Sequence, residues 1–250
     1  MADWKPNAVF SIWNPLQRKR RPLISHTVYV TMDPKDWTTS VSGLRTALGS
    51  FLEEGPILDK LADILDRAAV RGGISYDEIE RIAGDDVEDV LLVGFEWHLL
   101  LPVRAIRCGE WDDRLLLASP GEMYELTNIV KWLVEDARKS AEWNAQRAIG
   151  ELFKSMREPL WDRIPALVDG LVYASQNHRI SAARIKEVCN RLGLGDRVDG
   201  LIAELKGSGV MSPRLAILAE QATTRGGPQY ELNRCLFVNG KHEPSQGTQR

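Results

Sequence analysis

Three cysteines in 250 residues, at positions 108, 189 and 235, form no close pair. That spacing argues against a disulfide scaffold and fits a reducing compartment. No stretch approaches the roughly 20 apolar residues of a membrane span. Residues 1–6 also lack the apolar core of a secretion signal, so a cytoplasmic protein with no membrane contact is expected. The four histidines, at 26, 98, 178 and 242, are scattered, and neither CxxC nor HExxH spacing occurs. No metal site is therefore expected. Walker-type and G-x-G-x-x-G loops are missing too, and Gly193-Leu194-Gly195 reads as a helix end. Cys189 falls on the apolar side of a short helix and Cys235 in a strand, the positions of small buried hydrophobes rather than nucleophiles. The expectation is a non-enzymatic chain with no cofactor and no small-molecule substrate.

Charge of one sign is missing as well: the formal net charge is −3, with 32 Lys and Arg against 35 Asp and Glu. Counted by segment, however, residues 1–50 carry +4, 51–127 carry −11, 128–158 carry +1 and 159–250 carry +3. Near-neutrality is thus a cancellation between an acidic block and basic flanks, and such asymmetry bears on partners rather than on fold. The content of 44% hydrophobic and 27% charged residues excludes disorder and predicts a chain able to bury more than one core.

Residues 1–54 read as an extended arm. Pro6, Pro15, Pro22 and Pro34 interrupt helices, and Ile24 to Met32 alternates like a short strand. Between them stands the basic run Arg18-Lys19-Arg20-Arg21, suited either to phosphate contact or to a solvated loop. From Gly55-Pro56, a stripe of Ile57, Leu58, Leu61, Ile64, Leu65 and Ala68 predicts a helix that stops at Gly72-Gly73. Ser75 then caps a second helix to Ala83, with Glu78 completing a capping box. A third helix follows from about Asp85 to His98. Leu99 to Ile106 and Arg114 to Ala118 read as two strands around an acidic turn that holds Trp111.

Residues 126–158 keep a helical period without proline or an obvious stop. About 30 residues at 1.5 Å each predict a connector rod of roughly 45 Å. Beyond Pro159 the pattern starts again: a stripe from Leu160 to Val172, an Ile180-Ser181 cap, a short helix to Leu192, a third helix from Asp196 to Lys206, and a strand over 229–238. The tail 239–250 is polar and expected to be disordered.

The two halves are offset by 106 residues, which places Ile74-Ser75 on Ile180-Ser181 and Leu61, Leu65 and Ala68 on Leu167, Leu171 and Ala174. Three helices and a ribbon, given twice over about 57–120 and 160–238, resemble the winged helix-turn-helix superfamily in tandem. The resemblance implies an α+β, mainly α fold: an extended N-terminal arm (1–54), an acidic winged-helix domain (55–125), a connecting long helix (126–158) and a second winged-helix domain (159–238). It also implies binding of DNA or of protein, since tandem winged helices serve both in replication, segregation, transcription and membrane sorting.

Charge separates the two halves. The first third helix holds Asp85, Asp86, Glu88, Asp89 and Glu96 without a cation, so it suits protein rather than phosphate. The second half offers Arg179, Arg184, Lys186, Arg191, Arg197 and Lys206, with Arg225 in its wing. A nucleic-acid-associated regulator or assembly factor is expected, with double-stranded DNA held by these residues and by the arm. Protein, or a second copy, would be held by Asp86, Glu88, Asp89 and three of the eight tryptophans, Trp111, Trp132 and Trp143. The alternative expectation is a protein–protein scaffold with no DNA contact.

Overall fold

The computed structural model describes residues 34–106, 108–214 and 227–238, which belong to one compact unit, Asp33–Arg250. The expected strand at 24–32, the basic run 18–21, Arg225 and the tail 239–250 lie outside the described residues. The fold is α+β and mainly helical.

The first helix falls inside the segment expected to be an extended arm. Pro34–Leu48 forms α1, because proline breaks a helix in its interior but fits its first turn, where no N–H is required. Leu44, Ala47 and Leu48 bury its apolar side. At Gly43 the approach to α5 (Asn128–Ser140) is so close that a Cβ would stand 3.0 Å from the Ala137 and Arg138 carbonyl oxygens.

Next comes α2 (Pro56–Arg71), whose buried stripe is the predicted one. It ends where the Gly72 N–H, at φ 83°, bonds the Ala68 carbonyl. After β1 (Ile74–Ser75), the Ser75 hydroxyl accepts the Glu78 N–H and starts α3 (Tyr76–Ala83). The Glu78 carboxylate does not complete the capping box; it takes Arg71 at 2.6 Å. A short 3-10 turn leads into α4 (Val87–Glu96), and β2 (Leu101–Pro102) follows.

The predicted strand at 114–118 is not formed. Its place is taken by a single bridge, Ala105 to Arg114, and a 3-10 turn at Trp111–Asp113. The paired strand is β3 (Met123–Glu125), which lies between β1 and β2. An apolar run such as Leu115-Leu116-Leu117 offers no alternation to fix a register. Tyr124 does, donating its hydroxyl to the Leu117 carbonyl.

The connector is a hairpin instead of a rod. α5 ends at Ala141, which sits in the left-handed region at φ 56°, and Asn144 caps α6 (Ala145–Ser155) by accepting the Arg147 N–H. α5 packs on α1, α2 and α6, and α6 packs on α7 (Ile164–Ala174). Helices α1, α5 and α6 thus fill the space between the halves, and the buried residues of both halves join one apolar cluster.

The second half repeats the order of the first: α7, β4 (Arg179–Ser181), α8 (Ala182–Arg191), α9 (Val198–Gly207), β5 (Met211–Pro213) and β6 (Gln229–Leu232). Ser181 accepts the Arg184 N–H as Ser75 accepts that of Glu78. β6 lies between β4 and β5. The registers match residue for residue: Ile74, Tyr124 and Pro102 lie across one sheet, Ile180, Tyr230 and Pro213 across the other. The strand expected over 229–238 ends at Leu232, and Cys235 lies in a 3-10 turn, Arg234–Phe237.

Candidate functional site

Sequence places cations and acids in the two halves; packing decides which of them face solvent. On α4 the exposed residues are Glu88, Asp89, Leu92 and Glu96. Asp86 is tied to Lys60 Nζ at 2.6 Å. α9 exposes one acid, Asp199, and one base, Lys206, with Gly200, Ala203 and Gly207. Arg197, placed among the groove-reading cations, forks onto the buried Glu158 and reaches Glu204 at 3.4 Å. The Arg197 guanidinium holds the Glu158 carboxyl below its usual range, while burial pushes Glu204 up. A cation so engaged has no charge left for phosphate.

The remaining cations gather on β4 and α8. Arg179, Arg184, Lys186 and Arg191 are all exposed, and among the described residues only Arg184 meets an acid, Glu187 at 2.5 Å. Arg179 and Arg184 line a shallow concavity of about 570 Å³ beside the turn at Asn177 and His178. Both turn residues hold positive φ, 49° and 62°, which lets Gln176 and Arg179 exchange backbone hydrogen bonds in a two-residue hairpin.

Two of the three tryptophans expected to hold a partner are inside the protein. Trp111 is 7% exposed and lies against His98, ring centroids 4.5 Å apart, while its backbone N–H donates to Ser212 Oγ at 3.1 Å. Trp143 is 2% exposed and donates Nε1–H to the Cys235 carbonyl at 2.9 Å. Trp132 is half-buried against the core. The acidic turn that carries Trp111 is spent within the chain, because Glu110 accepts the Ser212 hydroxyl at 2.8 Å and Asp112 faces Arg214 at 3.6 Å.

A cavity of about 670 Å³ opens between α6, α7 and α8. Trp143, Val172, Val188 and Leu236 make it apolar, and Asn144, Gln146, Asp169 and Arg191 supply its polar lining. Its walls are drawn close at Gly170, where a Cβ would meet Val188 Cγ1 at 2.8 Å. Burial raises the Asp169 carboxyl, against a hydrogen bond from Gln146. Tyr173 also lines it and is 68% exposed, the most exposed of the large hydrophobic side chains described. Such a cavity is within the size range of ligand and anchor-residue pockets. The sequence signal for Tyr173 was weak, since an aromatic residue at the end of an apolar stripe reads as core.

Among the described residues, no group of three His, Cys, Asp or Glu side chains could hold a metal ion, and no helix is long and apolar enough to cross a membrane. Burial raises the Cys189 and Cys235 thiols, which keeps both protonated.

A second signal went unread in the sequence. Tyr124-Glu125-Leu126 recurs as Tyr230-Glu231-Leu232 at the same offset of 106, each preceded by a glycine of positive φ, Gly121 and Gly227. These triplets are the central strands of the two sheets. One protein-family model, which carries no description of function, matches residues 44–241. No curated protein and no solved structure matches the chain.

Proposed function

We propose that this chain, which belongs to that family, is a non-enzymatic interaction module of two winged-helix halves, and that it holds an acidic segment of a partner protein on its α7–α8 face. The carrying observation is Tyr173, 68% exposed at a cavity of about 670 Å³ that Arg191 also lines. An exposed aromatic beside an unfilled apolar cavity is the usual form of an anchor-residue site. Arg191 in its lining favours acids on the partner, and charge of this kind steers association. Sharing of the core between the halves supports a rigid platform over two independently moving readers. The module works in the cytosol, consistent with its free cysteines.

Peptide display against the full chain tests this. Enriched sequences should pair Asp or Glu with one Leu, Phe or Trp, and their binding should weaken about tenfold or more in Tyr173→Ala and Arg191→Glu. Glu88→Lys on α4 should leave it unchanged. Peptides that bind the two variants as well as the parent chain would overturn the proposal.

DNA binding is the second reading, and the four exposed cations of β4 and α8 favour it. It is the weaker one, because the groove-reading helix of each half exposes acids, or one acid and one base, and Arg197 is engaged. Duplex binding that falls steeply between about 50 and 200 mM salt, and that is lost in Arg184→Glu/Lys186→Glu, would establish it.

A further inference from the structure

We propose that an apolar cleft between the α1–α2 loop and α4 receives a basic segment of a partner protein, in which one Leu, Phe or Trp side chain is flanked by Lys or Arg. The cleft measures about 520 Å³ and shares no lining residue with the cavity of the α7–α8 face. Phe51, Leu52, Ile57, Val93 and Trp97 line it, each packed on the core yet only partly covered. The Phe51 ring packs on both Trp97 and Trp143, with ring centroids 4.9 and 5.3 Å away. A floor held from two sides is preformed, which lowers the ordering cost of binding. Its volume falls in the range of pockets that take one large apolar group.

The rim of the cleft is acidic. Glu53 and Glu54 on the loop and Glu96 on α4 are exposed there, and none of the three makes an ion pair among the described residues. The cations that flank the loop in sequence are engaged by other acids: Arg45 pairs with Asp59, and Lys60 with Asp86 at 2.6 Å. Along α4, Glu88, Leu92 and Glu96 recur at intervals of four, so Leu92, 51% exposed, shares one helix face with two carboxylates. Val93, beside it in sequence, belongs to the cleft. Apolar surface thus runs among like charges without a counter-ion. A neutral apolar segment would fill the cleft and leave the carboxylates as they are, whereas Lys or Arg beside the anchor would relieve their repulsion. Residues 51–127 carry −11 in all, so the wider field attracts the same partner and repels an acidic segment or nucleic acid. The inference rests on no residue of the α7–α8 site, and the two faces select segments of opposite charge.

Random-peptide display on the full chain carrying Tyr173→Ala and Arg191→Glu, which disable the α7–α8 site, tests the cleft separately. Enriched sequences should join one Leu, Phe or Trp to several Lys or Arg. Binding of a labelled enriched peptide to the parent chain is then read by fluorescence anisotropy. It should weaken about tenfold or more in Glu53→Lys/Glu54→Lys and in Glu96→Lys, survive in Glu96→Asp, and decline between about 50 and 200 mM salt. Replacing the apolar residue of the peptide by Ala should cost a similar factor. Arg184→Glu, on α8, should bind as the parent chain does. Enrichment without Lys or Arg, binding that persists in the charge-reversed chains, or indifference to the loss of the apolar anchor would each overturn the proposal. Self-association of the chain alone that Glu96→Lys abolishes would overturn it too, by making a second copy the occupant.

Discussion

His98 occupies the seam with a backbone φ of 53° and a side chain buried against Trp111, its Nε2 3.8 Å from Glu231 Oε1. Burial lowers its pKa to about 4; Arg234 and His178 push the same way, and Glu231 opposes them. Burial and the charge of Arg234 also lower His178. In the unfolded chain both imidazoles take up a proton near pH 6.5, whereas folded His98 resists until about pH 4. Below 6.5 the unfolded state therefore binds more protons, and stability falls as pH drops through that window. For His98 the loss approaches roughly 3 kcal/mol. Burial would raise the Glu231 carboxyl, but His98, Arg234 and Arg214 hold it below the usual range, so its contribution is lost only at still lower pH. His98→Gln should flatten the decline between about pH 6.5 and 4, read from urea unfolding at several pH values. An unchanged slope would mean that His98 takes up its proton at the same pH in the folded and the unfolded chain. Nothing local marks this histidine in the sequence: Trp111 and Glu231, which enclose it, lie 13 and 133 residues further along the chain.

Among the elements, the α5–α6 hairpin shows how periodicity can conceal a reversal. Ala137 and Ala148, the last and first buried alanines of the two helices, are 11 residues apart, from 137 to 148. At 3.6 residues per turn that is about three full turns, so the apolar stripe keeps its phase across the break. The local signal was Asn144 as a cap, read through because no glycine or proline precedes it. Ala141 instead adopts φ 56° and is exposed. Ala141→Gly should therefore stabilise the protein by about 0.5–1 kcal/mol, the reverse of its effect within a continuous helix, as measured by thermal or urea unfolding. The adjacent Arg138 fixes α5 to α2: its Nε meets Asp66 Oδ1 at 2.6 Å and both side chains are nearly inaccessible, at 5% and 1%. Arg138→Leu should cost about 3–5 kcal/mol by taking the guanidinium away from the buried Asp66 charge, and Asp66→Leu in the same chain should recover much of it.

For the whole molecule, the decisive contacts run between the halves. The Ile129 N–H bonds the Ser208 carbonyl at 2.9 Å, Asn128 Nδ2 bonds the Gly207 carbonyl at 3.2 Å, and Trp111 bonds Ser212. Gly209 permits this approach. At φ 77° it lies where other residues are strained, and a Cβ there would meet the Thr127 Cβ at 2.4 Å. Gly209→Ala should destabilise the protein by more than about 2 kcal/mol. It should also separate the fluorescence transition, to which Trp111 at the seam contributes, from the far-UV circular dichroism transition, while the parent chain unfolds with both together.

The sequence by itself determined the caps at Ser75 and Ser181, the glycine stop at Gly72 and the amphipathic helices of each half, because each rests on residues within one or two turns of one another, and the repeat that relates the halves follows from comparing those local patterns. The repeated Tyr-Glu-Leu triplets were equally legible, and they mark the central strands. Only the tertiary structure decided which charges and rings are free. Arg197 is engaged by Glu158, 39 residues away, and the Trp143 ring by the Cys235 carbonyl, 92 residues away. It also turned the connector back on itself and left the cations of α8 facing solvent. Helical period and local charge are properties of a segment; the pairing of a charge or the burial of a ring depends on which distant segment packs against it.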